Sequence, residues 1–396
     1  MIPEPLHIGF DAKRVLFNQT GLGNYSRTLI GNMAEFLPKH RYFLYSPPLN
    51  FEPETFNRVG IPFQQSANMV WRTPKGFFSR MFGGSLWRSM FLGNAINKDK
   101  LHIYHGLSNE LPLNAGKIKA RKVVTIHDLI FMRYPQWYPA FDRWMYAQKW
   151  KHSCSKADLV IAISQQTKQD LMEFLNVPET KIEVVYQSCN PAFYNDYNDR
   201  LFLNHGLFMP QQYKLPPQVP LEYVLYVGAI TERKNLLTLV KAMHLLQPKL
   251  SVPLVVVGKG KDYQYKVWQY IQQNRLEKQV IFIPDLPVSD LKAVYRCARL
   301  LVYPSLFEGF GLPVLEGLFS RTPVITSTGS CFAEAGGNGT LYVNPLNAEE
   351  MAAAIETVLT DGAQQMNMII QGWEHAQQFK AETTTARLMQ VYKQLL

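Results

Sequence analysis

Phe307-Glu308-Gly309-Phe310-Gly311-Leu312-Pro313-Val314-Leu315-Glu316 is the stretch that decides how this 396-residue chain is read. Two carboxylates bracket a turn with two glycines, directly after the apolar run Leu300-Leu301-Val302-Tyr303. That run is short, rich in β-formers and bounded by Pro304-Ser305, which predicts a buried strand. Pro313 falls where a first helical turn would begin, a position that tolerates proline. Strand, glycine turn and helix start together predict an anion site, because unpaired amides at a helix N-terminus point at whatever binds there. Glu316 would lie about one turn into the helix, and helical side chains lean back toward the N-terminus, so its carboxylate reaches the same ligand. A phosphate cradle with a carboxylate behind it suits a nucleotide, with amides on the diphosphate and the carboxylate on ribose hydroxyls. On spacing alone, Glu308 as a simple helix cap and Glu316 as a solvated surface residue fit equally well.

Around this stretch, short β-rich runs alternate with helical ones. In the first half the expected strands are 6–10, 41–45, 102–105, 122–127, 159–163 and 182–186, with helices at 25–37 and 165–175, the latter capped by Ser164. Residues 187–221 break the rhythm with a run of Asn and Pro, which places a connection there. Alternation restarts with strands at 223–227, 254–257, 280–283, 300–303, 324–326 and 341–343. Helices are expected at 236–246, 263–273, 289–298, 313–319 and 348–359, and an amphipathic helix at 381–396. The pattern predicts an α/β protein of two Rossmann-like halves, each a parallel sheet covered by helices, with ligands at the carboxyl ends of the strands.

Composition agrees with a folded protein: 47% hydrophobic and 18% charged residues in a chain long enough for two domains. No apolar run is long enough to cross a bilayer, and the start Met1-Ile2-Pro3-Glu4-Pro5 lacks the basic region of a secretory signal. Cys154, Cys189, Cys297 and Cys331 show no paired or zinc-like spacing, so a cytoplasmic location is expected. The charge is uneven, with +9 of the net +10 in residues 1–190. Residues 61–100 carry Arg72, Lys75, Arg80, Arg88, Lys98 and Lys100 against Asp99, interleaved with aromatic residues. Two readings fit this segment: contact with an anionic membrane or the acceptor, or a loop whose aromatics tuck onto its own domain. No nucleic-acid module accompanies it.

Other segments carry chemistry. Gly228 ends a strand and is followed by Arg233-Lys234 before a helix, where adjacent cations suit a diphosphate; a solvated charge pair is the structural alternative. Val257-Gly258-Lys259-Gly260 also follows a strand, and Leu286 lies in a loop before Ser289, a candidate helix N-cap. Asn18-Gln19-Thr20-Gly21-Leu22-Gly23-Asn24-Tyr25 precedes a helix, yet Ser26 stands where a dinucleotide fingerprint has its third glycine. His127 ends the run Val123-Val124-Thr125-Ile126, beside Asp128, which either orients the imidazole or caps the next turn; Asp11 also follows a strand. No His/Cys/Asp cluster has metal-site spacing, and no Gly-x-Ser-x-Gly elbow is present.

In combination these segments resemble the retaining GT-B glycosyltransferases of family 4. Glu308–Glu316 resembles the family's E-x7-E signature, 228–235 its Gly-x-x-x-x-x-Lys-Asn motif, and Gly21–Tyr25 its Gly-x-Gly-x-Tyr loop. The resemblance covers nearly the whole chain. It implies a GT-B fold, two Rossmann-like domains with parallel sheets facing across a cleft: residues 1–190 for the acceptor, with the helix at 381–396 packing back on them, and 191–380 for the nucleotide sugar. It assigns catalysis to His127, Glu308, Arg233 and Lys234. It assigns donor binding to Gly21, Gly23, Gly228, Leu286, Gly309, Phe310, Gly311, Leu312 and Glu316. The nucleotide diphosphate sugar is then a co-substrate, and neither cofactor nor metal is expected. The implied reaction moves a hexose, with retention, to a glycan or lipid-linked acceptor in polysaccharide synthesis. The Thr20–Tyr25 and Thr125–Pro135 segments look most like bacterial polysaccharide mannosyltransferases, so GDP-mannose is the first expected donor and a UDP-hexose the second. A GT-B nucleotide-sugar epimerase and a Rossmann oxidoreductase are the readings from other classes, the latter opposed by Ser26.

Overall fold

The computed structural model describes residues 4–18, 21–46, 68–73, 92–194 and 214–396. The chain divides into two compact units, Met1–Ser188 with Ala381–Leu396, and Cys189–Lys380. The first unit holds a parallel sheet of seven strands among the described residues: β1 (His7–Asp11), β2 (Arg41–Tyr45), β3 (Met69–Arg72), β4 (Ile103–Gly106), β5 (Arg121–Ile126), β6 (Leu159–Ala162) and β7 (Ile182–Val184). Their order is β3-β2-β1-β4-β5-β6-β7. Successive residues of one strand enter different cores: Tyr42, Leu44 and Val123 on one face, Phe43, Tyr45 and Val124 on the other. Both faces are covered by helices, which is why these strands read as unbroken apolar runs.

The last helix, Ala381–Leu395, belongs to the first of these cores. Leu388, Val391 and Tyr392 are buried there and Leu395 packs at its edge. These positions form the i, i+3, i+4, i+7 stripe of an amphipathic helix. Arg387 pairs with Glu183 at 2.9 Å, tying the same helix to β7.

The second unit repeats the plan with β8 (Val224–Val227), β9 (Leu254–Val257), β10 (Val280–Ile283), β11 (Leu300–Tyr303), β12 (Val324–Ser327) and β13 (Thr340–Val343). All pair in parallel, in the order β10-β9-β8-β11-β12-β13. In each unit the winding reverses beside the first strand, between β1 and β4 and between β8 and β11. Open parallel sheets bind ligands outside the carboxyl ends of strands at such a switch point.

Several local expectations are corrected. The helix expected from Tyr25 starts at Gly21 and runs to Phe36, so the glycine loop is its first turns. Ser26, in place of a third glycine, donates to the Leu22 carbonyl inside that helix at 2.9 Å. Ser289 is not an N-cap: the helix Val288–Cys297 begins after Pro287, and Ser289 bonds Asp290 instead. Ser164 does cap Gln165–Leu175, accepting from the Thr167 amide at 3.0 Å. In the basic segment, Arg72 is committed to Asp99 by a forked pair with 2.8 Å and 3.0 Å bonds. Lys75, Arg80 and Arg88 lie outside the described residues, as do Gln19, Thr20 and much of 187–221.

Candidate active site

A cluster of paired charges lies where β8 and β11 end, at the switch point of the second unit. β8 runs out at Val227, and Gly228 turns the chain with a φ of +152°. A side chain is excluded next door as well, since a Cβ on Gly258 would sit 2.0 Å from the Gly228 carbonyl. The turn leads through Arg233 and Lys234 into the helix Leu236–Leu246. Asn235 holds this loop against the neighbouring ones, donating to the carbonyls of Pro304 and Pro345.

From β11 the chain passes Ser305 and reaches Glu308. One oxygen of Glu308, Oε1, takes Arg233 at 2.5 Å and Lys234 at 2.6 Å. It also accepts the Ser305 hydroxyl at 2.6 Å and the Tyr303 hydroxyl at 3.1 Å. Lys234 contacts that same Tyr303 hydroxyl, and Arg233 donates to the Phe307 carbonyl at 2.7 Å. Burial alone would raise the Glu308 carboxyl, but Lys234 and Arg233 overcome it and hold it at about 2. Burial lowers Lys234 despite Glu308, and Arg233 adds to that lowering. The cluster is therefore two cations sharing one carboxylate, with one net positive charge left in a partly desolvated pocket.

The helix Leu312–Phe319 starts immediately beyond, with Gly311 at φ +118° as its N-cap. Its anion-binding capacity is narrower than a generic helix start. Pro313 has no N–H, and the Val314 and Leu315 amides both point at the Gly311 carbonyl. The loop is held from behind by Ser330, whose hydroxyl accepts from the Glu308 amide and donates to the Glu308 carbonyl, and by Cys331, whose thiol donates to the Phe310 carbonyl. The Phe310 ring turns inward against Phe379. Any ligand contact from Gly309–Gly311 is thus a backbone one.

Glu316 is in the second turn of that helix, half-buried, and accepts the Tyr295 hydroxyl at 2.7 Å. Burial raises its carboxyl to about 7, with Tyr295 and Lys234 pulling it down. The two glutamates eight positions apart in sequence are thus opposite in electrostatic state, one firmly ionised and one poised near neutrality. Leu286 lies half-buried in the loop after β10, and the end of that strand meets the Gly258 turn, whose amide bonds the Ile283 carbonyl.

In the first unit, His127 follows β5 directly. Its Nε2 is 2.8 Å from the Leu107 carbonyl, and its amide donates to Asn109 at 2.7 Å. Burial lowers its pKa to about 4, so the ring is neutral at physiological pH. A carbonyl only accepts, so Nε2 carries the proton and Nδ1 is left as an acceptor. The Tyr25 ring stands edge-on to the imidazole, centroids 4.6 Å apart. Asp128 accepts from the Ile130 amide at 3.1 Å, at the start of the next turn. Gly23 allows its helix to approach Asn18, since a Cβ there would lie 1.8 Å from the Asn18 carbonyl; Gly21 meets nothing within 4 Å. Asp11 accepts the Lys13 amide at 3.1 Å.

Reasoning from sequence did not single out Tyr303, Ser305, Tyr295, Ser330 or Cys331. The first two flank Pro304 at the end of β11, so their nearness to the signature was the available signal. The others come from distant segments, with none in the sequence. Among the described residues no group of three or more His, Cys, Asp or Glu side chains is placed to hold a metal ion.

Comparison with known proteins bears on the chain as a whole. The family profile described as Glycosyl transferases group 1 matches residues 211–375, and that described as Glycosyltransferase Family 4 matches residues 20–193. An O-antigen chain mannosyltransferase B from Escherichia coli is 30% identical over 306 residues, 76% of each chain. The chain belongs to glycosyltransferase family 4. This glycosyltransferase is also 29% identical, over 60% of each chain, to the O-antigen chain mannosyltransferase RfbU of Salmonella typhimurium. Its fold is that of solved GT-B proteins. Sucrose-phosphate synthase from Thermosynechococcus elongatus superposes with a TM-score of 0.73 at 21% identity, over 98% of this chain and 99% of that one. Anabaena HepE in complex with UDP and glucose gives 0.69 at 17% identity, over 97% and 98%.

Proposed function

We propose that this glycosyltransferase moves a mannosyl group from GDP-mannose to a glycan or lipid-linked acceptor, with retention at the anomeric carbon, in cell-surface polysaccharide assembly. Two relatives carry mannosyltransferase names, which supports the sugar. The observation that carries the chemistry is the pairing of Arg233 and Lys234 on one Glu308 oxygen at the switch point. In this reading the second unit binds the donor and the first binds the acceptor. The donor diphosphate accepts from Arg233 and Lys234, two cations that share one carboxylate oxygen. When the glycosidic bond breaks, the leaving diphosphate gains a further negative charge, so its attraction to both cations grows in the transition state. An interaction that strengthens along the reaction speeds it.

Until the donor arrives, Glu308 screens two half-buried cations from each other. With the donor bound it is free to accept sugar hydroxyls. The Gly309–Leu312 backbone and Gly228 allow close approach of the phosphates, Glu316 accepts ribose hydroxyls, and the main chain at Leu286 reads the base. In the first unit, neutral His127 offers Nδ1 as an acceptor to a sugar hydroxyl, and Gly21 leaves open space beside the chain. The charge work falls to protein cations, with no metal ion required.

Titrating the protein with GDP, UDP and their sugars while following Tm identifies the nucleotide, since a ligand of the native state raises it. Radiolabel passing from GDP-mannose to an acceptor supports the proposal. Turnover with UDP-glucose alone replaces the donor, and isomerised nucleotide sugar without transfer replaces the reaction. Activity that vanishes with chelator and returns with Mn²⁺ would overturn the metal-free part.

A further inference from the structure

The helix Ala140–Lys156, which links β5 to β6, carries a face that the transfer reaction does not use. Phe141 is 70% and Trp144 61% exposed, with ring centroids 6.2 Å apart. At about 100° per residue, Phe141, Trp144, Gln148, Lys151 and Ser155 fall within an arc of about 80°. All five are exposed, while Trp150, Ser153 and Cys154 on the other side are buried. Lys149 and Lys156 flank the arc and are exposed, and no exposed position of the helix is an acid. Lys151 and Lys156 have no ion-pair partner among the described residues. Leu113, 62% exposed, lies in the segment packed beside the C-terminal half of this helix, where Pro112 meets His152 and Glu110 meets Lys149.

We propose that this helix face seats the enzyme on an anionic bilayer. Phe141 and Trp144 enter the headgroup boundary, and Lys151 and Lys156 meet lipid phosphates along a helix about 22 Å long between Phe141 and Lys156. Large aromatics in water are unfavourable singly and mark an interaction surface when clustered. Cations on the same face without acids select a negatively charged partner, and the +9 charge of residues 1–190 adds long-range attraction. Within the basic segment 61–100, Arg72 is already neutralised by Asp99, so it contributes little.

The test uses the full chain and vesicles of phosphatidylcholine, with and without phosphatidylglycerol, read by co-sedimentation in the absence of donor. Because no donor is present, the result stands apart from the choice of sugar or nucleotide. Wild type is expected to sediment only with the phosphatidylglycerol vesicles and to be released by salt. F141S/W144S should lose binding at least tenfold, and K151Q/K156Q roughly tenfold with a flatter salt dependence. The control K261Q/Y265S, exposed positions on the second unit, should bind as wild type. Tm and transfer to a water-soluble acceptor should be unchanged in all three. Wild type that ignores anionic vesicles, or aromatic and lysine variants that bind them normally, would overturn the proposal. So would variants whose only defect is a higher KM for a soluble glycan, because the face would then dock acceptor.

Discussion

The two units share one winding order and put opposite chemistry at the same place in it. Where β8 and β11 diverge, the second unit gathers Arg233, Lys234 and Glu308. Where β1 and β4 diverge, the first unit sets a chain of neutral hydrogen-bonding groups beside the buried Asp11 that ends β1. His105 there bonds Tyr392 at 2.6 Å and Thr125 at 2.8 Å, Thr125 meets Tyr25 at 3.1 Å, and Tyr25 abuts His127. Burial drives His105 down to about 3, and His127 contributes further. The comparison teaches that topology supplies a location and the loop residues supply its charge. A switch point with paired cations suits a diphosphate; one built on hydrogen-bonding neutral groups and a carboxylate suits hydroxyl groups.

The contrast breaks first at the cations. Lys234→Ala and Arg233→Ala should each lower kcat/KM by on the order of 10²-fold or more, as the loss of an electrostatic stabiliser does. Steady-state rates near wild type in both variants would reduce the cluster to a structural ion pair. Glu308→Gln separates structure from catalysis. It leaves Lys234 and Arg233 without their shared anion, a loss of roughly 3 kcal/mol. Lys234→Met with Glu308→Gln should recover part of that stability and none of the activity.

pH sharpens the same contrast. Folding depresses Glu308 from its ordinary 4.5 to about 2, so the folded state binds fewer protons and the contribution is complete above the unfolded value. About 3 kcal/mol should be lost as pH falls from about 5 to 2, and Glu308→Gln should remove that portion of the wild-type Tm profile. His127 is depressed from 6.5 to about 4, so its contribution is present above 6.5 and disappears as pH falls toward 4. Its neutrality also means that no ionisation of His127 should shape the rate between pH 5 and 8. His127→Ala should reduce kcat by about tenfold or more, in the range of lost positioning groups, with nucleotide affinity unchanged.

Glu316 should give the smallest effect. Its folded value is raised to about 7, so the folded state holds an extra proton between about 4.5 and 7 and stability falls as pH rises through that window. Ribose hydroxyls donate to the ionised form, so nucleotide affinity should climb a few-fold from pH 6 to 8. Calorimetric titration of wild type and Glu316→Gln should show the slope only in wild type.

Much of the fold was legible because parallel strands buried on both faces are unbroken apolar runs. Residues 254–257, 280–283 and 300–303 coincide with β9, β10 and β11 for this reason. The helix Ala140–Lys156 was not, since its aromatic and polar residues show no clear apolar stripe, and its buried side is only Trp150, Ser153 and Cys154. Gly362–Ala376 is a helix although it begins with glycine and carries another, Gly372, that packs against Leu318. The strand Met69–Arg72 was hidden in a basic, aromatic segment and is made by pairing with β2.

By itself the sequence determined the alternation, the glycine turns and the residue types at the ends of β8, β11 and β5, because hydrophobic period and backbone freedom are local properties. Only the tertiary structure decided how those residues divide their roles. Glu308 is strongly acidic because Arg233 and Lys234, over seventy positions earlier in the chain, close on the same oxygen. Glu316 is poised near 7 because the fold buries it beside Tyr295. His127 is a neutral acceptor because the Leu107 carbonyl claims its one proton and burial forbids a second. Desolvation and charge pairing act across space between groups distant in sequence, and spacing along a chain cannot express them.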